Sequence, residues 1–143
     1  MEKVNRLHPI NRMKFLKGSI GPGLLWTALT FYLLSMDPSG AGGVSLLKIY
    51  GMDKLIHFSL FSILAFLWGA YFLNKETALP PDTILWSIVI MASAYGMGME
   101  YYQLYFTNRS FSYWDGLADA LGSVAGAWVA KKSPYGNRGR NQN

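Results

Sequence analysis

Long apolar stretches separated by short polar segments dominate the chain. Three of them lack Asp, Glu, Lys and Arg throughout: 18–36, 55–73 and 83–99. A fourth, 120–130, is shorter and follows a segment that contains Asp115 and Asp119. A helix needs roughly 20 mostly apolar residues to cross the hydrocarbon core of a bilayer. The pattern therefore predicts four transmembrane helices, over about 18–36, 55–73, 83–106 and 114–130.

A soluble helical core is the alternative interpretation, because apolar runs of about 10 to 14 residues often belong to buried helices. The chain has 143 residues, about one domain. One small domain cannot hide three helices that are apolar on every side. We therefore predict an all-α integral membrane protein, a bundle of four transmembrane helices. No small-residue cleavage site follows the first span, so we expect that span to be retained.

Basic residues are concentrated at the two ends of the chain. Ten of the 13 Lys and Arg residues fall in segment 1–17, in the loop around 74–82 and in the tail 131–143. By the positive-inside rule, this places both termini in the cytoplasm. The predicted organisation is a basic segment 1–17, a membrane domain 18–130 and a basic, disordered tail 131–143. The net charge of +5 reflects this topology and attraction to membrane lipids, so we predict no nucleic-acid partner.

Eight polar residues fall at the same, outer end of the predicted bundle. Three pairs among them are three or four positions apart, so each pair shares one helix face. Ionisable groups cost about 2.5 to 3.5 kcal/mol each at a membrane helix centre, so a functional role is their default interpretation. We therefore predict a ligand-binding site formed by Asp53, Lys54, His57, Glu100, Gln103, Arg109, Asp115 and Asp119.

Structural roles compete with this interpretation for each of these residues. Asp53 and Asp115 lie where a carboxylate stabilises the first turn of a helix, and Asp115 has capping-box spacing to the serine three positions earlier. A histidine such as His57 more often completes an internal hydrogen bond than binds a ligand. Glu100 and Asp119 lie inside apolar helices and need partners, which an internal ion-pair clamp would also supply.

Two glycines continue the helix face that carries Asp115 and Asp119. Gly122 and Gly126 form a GxxxG motif, whose small residues let a neighbouring helix approach closely. We predict that this face packs inside the bundle and turns both aspartates inward. The motif is frequent in membrane helices, so it predicts packing and no chemistry.

The order of these motifs resembles the VanZ-like family of membrane proteins. The resemblance rests on DKxxH at 53–57, ExxQ at 100–103, and then Arg109, Asp115, Asp119 and the GxxxG of 122–126. The family pattern often has Asn where this sequence has Leu121 or Gly122. The resemblance implies a multi-pass protein of the bacterial cytoplasmic membrane. It also implies an association with low-level resistance to the lipidated glycopeptide teicoplanin, but it supplies no biochemical activity.

Three functions are compatible with the sequence. The first is a binding module in which Arg109 and Lys54 pair with the anionic head group of a lipid or lipid-linked envelope precursor. The second is an enzyme acting on such a head group, with His57 as general base held by Asp53 and with Glu100 or Asp119 as acid or metal ligand. The third is an accessory subunit of a larger membrane protein complex, in which the polar residues only hold the helices together.

The sequence leaves the chemistry of the site open. It contains neither the HExxH metalloprotease motif nor the GxSxG serine-hydrolase motif. Whether the protein is an enzyme stays open. A divalent metal bound by oxygen ligands of Glu100, Asp115 and Asp119 cannot be distinguished from salt bridges to Arg109. We therefore assign no metal site, and the cofactor is unknown.

Overall fold

Four α-helices make up the part of the chain that the structure describes, residues 19–36, 51–107 and 109–134 of a computed structural model. They are α1 (Gly21–Ser35), α2 (Met52–Phe72), α3 (Pro81–Phe106) and α4 (Tyr113–Lys132). No strand occurs in these three ranges, which confirms the all-helical class. The predicted basic segment 1–17 and most of the tail 131–143 lie outside the described residues.

Two of the four helices, α2 and α3, are long and apolar enough to cross a membrane. Helix α1 has 15 described residues, or about 22 Å at 1.5 Å per residue, against about 30 Å of hydrocarbon. Helix α4 has 20 residues, but Asp115, Asp119 and a run of small side chains reduce its hydropathy. The four-span bundle with cytoplasmic termini therefore stays a prediction.

Local chemistry explains where the helices begin. Helix α3 starts with Pro81 and Asp82, and proline suits a first turn, whose N–H groups lack helical partners. Helix α4 starts after Ser112, whose Oγ accepts a hydrogen bond from the N–H of Asp115 at 3.3 Å, as the capping-box spacing predicts. Gly51 precedes α2 with a φ of 86°, in the left-handed region that favours glycine.

Helices α2 and α4 pack backbone against backbone along the glycine stripe of α4. A Cβ atom on Gly122 would lie 2.3 Å from the carbonyl oxygen of Phe58, and one on Gly126 would lie 2.0 Å from that of Ser62. The hydroxyl of Ser62 also donates to the carbonyl oxygen of Gly122 at 2.9 Å. Glycine is needed at both positions for this approach, which sets the start of α4 directly against the start of α2.

Helix α1 packs across α2 and α3 through aromatic side chains. The indole Nε1 of Trp26 donates to the carbonyl oxygen of Leu60 at 3.0 Å. The hydroxyl of Tyr95 donates to the backbone carbonyl oxygen of Thr27 at 3.3 Å. The core beneath these contacts is apolar and consists of Leu34, Leu60, Phe61, Leu64, Ala92 and Met99. Helix α1 is thus attached to α2 and α3, whereas the closest packing in the bundle is that of α2 against α4.

The bundle has two chemically different ends. We call the first the Arg109 end; it comprises the start of α2, the end of α3 and the start of α4, which ion pairs and hydrogen bonds join. We call the second the Lys131 end; it comprises the end of α2, the start of α3 and the end of α4, where Lys131 pairs with Asp82. The predicted site residues lie toward the Arg109 end.

Candidate functional site

Three ionisable side chains lie completely buried together below the Arg109 end. His57 of α2, Glu100 of α3 and Asp119 of α4, which we call the buried triad, are each 0% exposed. His57 Nδ1 lies 2.9 Å from Asp119 Oδ1, and Glu100 Oε2 accepts a hydrogen bond from the N–H of Ser112 at 2.9 Å. Each member comes from a different helix, so the triad forms only when α2, α3 and α4 pack.

Each side chain of the buried triad keeps one polar atom without a hydrogen-bond partner among the described residues. These atoms are His57 Nε2, Glu100 Oε1 and Asp119 Oδ2. A buried polar atom left without a partner costs about 1 to 3 kcal/mol, and more when the group is charged. Buried polar atoms without a partner are infrequent in protein interiors, so the triad requires an explanation.

Two ion pairs lie between the buried triad and the surroundings. Arg109 Nη2 lies 2.6 Å from Asp53 Oδ1, and Lys54 Nζ lies 3.2 Å from Asp115 Oδ1. The side chain of Arg109 is 17% exposed and that of Lys54 is 46% exposed, whereas Asp115 is buried. The two cations therefore lie nearer the surface than the buried triad, and each is paired with an aspartate. We call the triad and these two ion pairs the cluster, and Arg109 and Lys54 the mouth of the cluster.

The pairing differs in two respects from the sequence-based hypotheses. His57 is bonded by Asp119, whereas the enzyme hypothesis paired it with Asp53, which instead accepts a hydrogen bond from Arg109. Glu100 accepts a hydrogen bond from the backbone N–H of Ser112, in the segment before α4, and no cationic side chain of the described residues is bonded to it. The spacing identified which helix faces meet, but spacing alone carries no information on which cation meets which carboxylate.

The side-chain hydrogen bond of Gln103 leads away from the cluster, unlike the contacts of the other predicted site residues. Its side chain is almost completely buried, and Nε2 donates to the carbonyl oxygen of Leu34 in α1 at 2.8 Å. This bond ties the end of α3 to the end of α1. In the structure Gln103 therefore joins two helices.

Gly96 is a site residue that the sequence analysis did not single out. A Cβ atom at Gly96 would lie 2.4 Å from Asp119 Oδ2, so the glycine makes room for the unpaired oxygen of that carboxylate. Gly96 lies one helical turn before Glu100, on the same face of α3. That four-residue spacing is the signal in the sequence that would have found it.

Exposed aromatic side chains lie at the Arg109 end of the bundle. They come from the end of α3 and the start of α4 and include Tyr101, Tyr105, Phe106, Tyr113 and Trp114. Phe111 connects the two groups, with its ring centroid 5.2 Å from that of Tyr101 and 4.8 Å from that of Tyr113. Aromatic residues are enriched where a membrane protein meets the lipid head groups.

Comparison with known proteins identifies the family. No curated protein and no solved structure matches the chain. A family model described as VanZ/LLP1 matches residues 14–133, which include all four helices and every residue of the cluster. The match confirms the resemblance drawn from the DKxxH, ExxQ and GxxxG motifs. The chain belongs to the VanZ/LLP1 family.

Proposed function

We propose that this protein is a multi-pass protein of the bacterial cytoplasmic membrane. In this proposal, its Arg109 end binds an anionic lipid or a lipid-linked cell-envelope amphiphile from the outer leaflet. The observation that carries the proposal is the arrangement at that end, where the exposed Lys54 and the partly exposed Arg109 lie nearer the surface than three completely buried ionisable side chains. Because teicoplanin is lipidated and acts outside the cell, an effect on teicoplanin susceptibility is a further part of the proposal.

The exposure of the helices supports a membrane location. Only 39% of the most apolar part of α2 and 28% of that of α3 is buried inside the bundle, whereas the core helix of a soluble protein is mostly buried. The outward faces carry large apolar side chains such as Leu25, Trp86, Ile90 and Met91. Lipid tails are the surroundings that suit such faces. We propose that α1 and α4 complete a four-span bundle.

The distribution of charged and aromatic residues supports the orientation. Lys75, Lys131 and Lys132 lie at the Lys131 end, and basic residues are favoured on the cytoplasmic side. The Arg109 end then faces outward, with its exposed aromatic side chains at the level of the lipid head groups. The cluster would thus be reached from the outer leaflet.

The chemistry of the mouth suits a phosphate-bearing or carboxylate-bearing head group. The planar guanidinium of Arg109 can donate paired, charge-assisted hydrogen bonds to such a group. Lys54 adds a second, more exposed cation close by. An arriving anion would compete with Asp53 and Asp115 for these cations. The exposed aromatic side chains at the Arg109 end would contact the acyl chain.

An enzyme acting on the same head group is the second candidate. The observation in its favour is that Asp119 holds His57 through Nδ1, while Nε2 has no hydrogen-bond partner among the described residues. A histidine oriented by a carboxylate through one nitrogen and free at the other is the arrangement of a general base. In the third candidate, an accessory subunit, the buried triad would only clamp the helices.

Native mass spectrometry of the gently purified full chain tests the proposal. We expect wild-type protein to retain a specific anionic lipid, and Arg109→Ala to lose it while remaining folded. Lys131→Ala is the matched control, because it also removes a cation paired with an aspartate, but at the opposite end. The proposal fails if the Arg109 variant carries the same lipids as the wild type and the control.

A further inference from the structure

We propose that the buried triad of His57, Glu100 and Asp119 binds a divalent first-row metal cation, Zn²⁺ or Mn²⁺. Each of the three side chains offers one ligand atom, and the three atoms lie within 4.8 Å of one another. Ligands about 2.1 Å from a shared ion are separated by at most about 4.2 Å. Small side-chain rotations therefore suffice to bring the three atoms around one ion.

Burial and unpaired atoms distinguish this triad from an ordinary acidic cluster. All three residues are 0% exposed, and each keeps a polar atom without a hydrogen-bond partner in the described ranges. A cation would give the carboxylates of Glu100 and Asp119 the electrostatic partner that a buried charge needs.

The charge balance of the Arg109 end also favours a divalent cation. In the two ion pairs at this end, the positive charge of Arg109 balances the negative charge of Asp53, and that of Lys54 balances that of Asp115. The remaining carboxylates, Glu100 and Asp119, face only His57 inside the triad, which can carry at most one positive charge. A divalent ion with neutral imidazole brings this buried region to neutrality.

The donor atoms select the class of metal. An imidazole nitrogen suits Zn²⁺ and the other transition metals, while carboxylates suit harder ions such as Mn²⁺. Mg²⁺ and Ca²⁺ prefer sites made of oxygen ligands alone. One nitrogen and two carboxylate ligands therefore point to zinc or manganese.

A second set of possible ligands, Asp53, His57 and Asp115, shares the histidine. Both of its carboxylates are already paired with cations, Asp53 with Arg109 and Asp115 with Lys54. A metal there would have to displace these partners or be repelled by them. No Lys or Arg in the described part of the chain forms an ion pair with the buried triad, so we assign the metal to the triad.

Metal content of the full chain tests this inference independently of lipid binding. Protein purified in detergent through a tag without histidine is stripped with a chelator and incubated with Zn²⁺ or Mn²⁺ alone. After gel filtration, elemental analysis counts the bound ions. We expect about one ion of one of these metals per folded chain. Folded wild-type protein that retains neither metal overturns the inference, whatever the variants do.

Isosteric variants locate the ion. Glu100→Gln and Asp119→Asn should each reduce metal retention about tenfold or more, because each removes a charged ligand and keeps the shape of the side chain. Thr30→Val is the matched control for a buried polar residue outside the triad, and it should retain the metal. Asp53→Asn should retain it too. Loss in Asp53→Asn with retention in Asp119→Asn would contradict the assignment.

Discussion

The two ends of the helix bundle both carry ion pairs, but in very different surroundings. At the Lys131 end, Lys131 Nζ lies 2.5 Å from Asp82 Oδ1, and the two side chains are 45% and 65% exposed. At the Arg109 end, the ion pairs lie above His57, Glu100 and Asp119, all completely buried. The charged side chains at the Lys131 end are exposed, whereas three ionisable side chains at the Arg109 end are buried by the fold.

Buried ionisable side chains require an explanation, because burying them costs free energy that exposed charges do not cost. An exposed ion pair contributes about 0 to 1 kcal/mol and costs little to keep. A buried ionic cluster often stabilises a protein less than apolar side chains of the same size would, by about 1 to 4 kcal/mol. The unpaired atoms of the buried triad add to that cost. The proposed binding of a ligand by the buried triad would give a reason for this cost, which helix packing alone does not require.

Removing one carboxylate at each end should give the largest contrast in stability. Asp119→Ala leaves His57 buried without its partner, so we expect it to reduce the free energy of unfolding by about 3 kcal/mol. Asp82→Ala removes an exposed partner of Lys131 and should change it by less than about 1 kcal/mol. Chemical denaturation in detergent measures both. Equal effects would remove the distinction between the two ends.

The glycines that bring α4 against α2 should show the next largest effect. Gly126→Ala places a Cβ against the backbone of Ser62, so we expect a loss of about 1 to 3 kcal/mol. Gly98→Ala is the matched control, since no atom lies within 4 Å of its Cβ position. Alanine there should be neutral or stabilise α3 by up to about 1 kcal/mol. Chemical denaturation in detergent measures the free energy of unfolding of both variants. A Gly126→Ala variant as stable as the wild type would contradict the close packing of α2 and α4.

Much of the fold and of the cluster follows from the sequence, because hydropathy and helical periodicity are local. Helices α3 and α4 begin at Pro81 and Tyr113, close to the predicted span starts at about 83 and 114. The same periodicity indicates that His57 and Asp119 lie at one end of the bundle. These features need only the 3.6-residue repeat and the alternation of apolar and polar segments.

Other features depend on packing and could not be predicted. The partner of His57 is decided by the distance between α2 and α4, which Gly122 sets through its contact with Phe58. Gln103 looked like a site residue by its spacing from Glu100, but the position of α1 gives its amide a backbone partner. The hydrogen-bond partners of His57 and Gln103 depend on how closely the helices pack, which the sequence pattern of a single helix does not contain.

A native mass spectrum of Glu100→Gln tests the central claim most directly, because it reports folding and bound species together. Glutamine keeps an oxygen that can accept the hydrogen bond from Ser112 but removes the buried charge. The account predicts a folded chain, with the narrow charge-state distribution of the wild type, that has lost the bound metal. An unfolded distribution would show that Glu100 holds the helices together, and a folded chain with the wild-type metal content would show that its charge is not used for binding; either result would contradict the account.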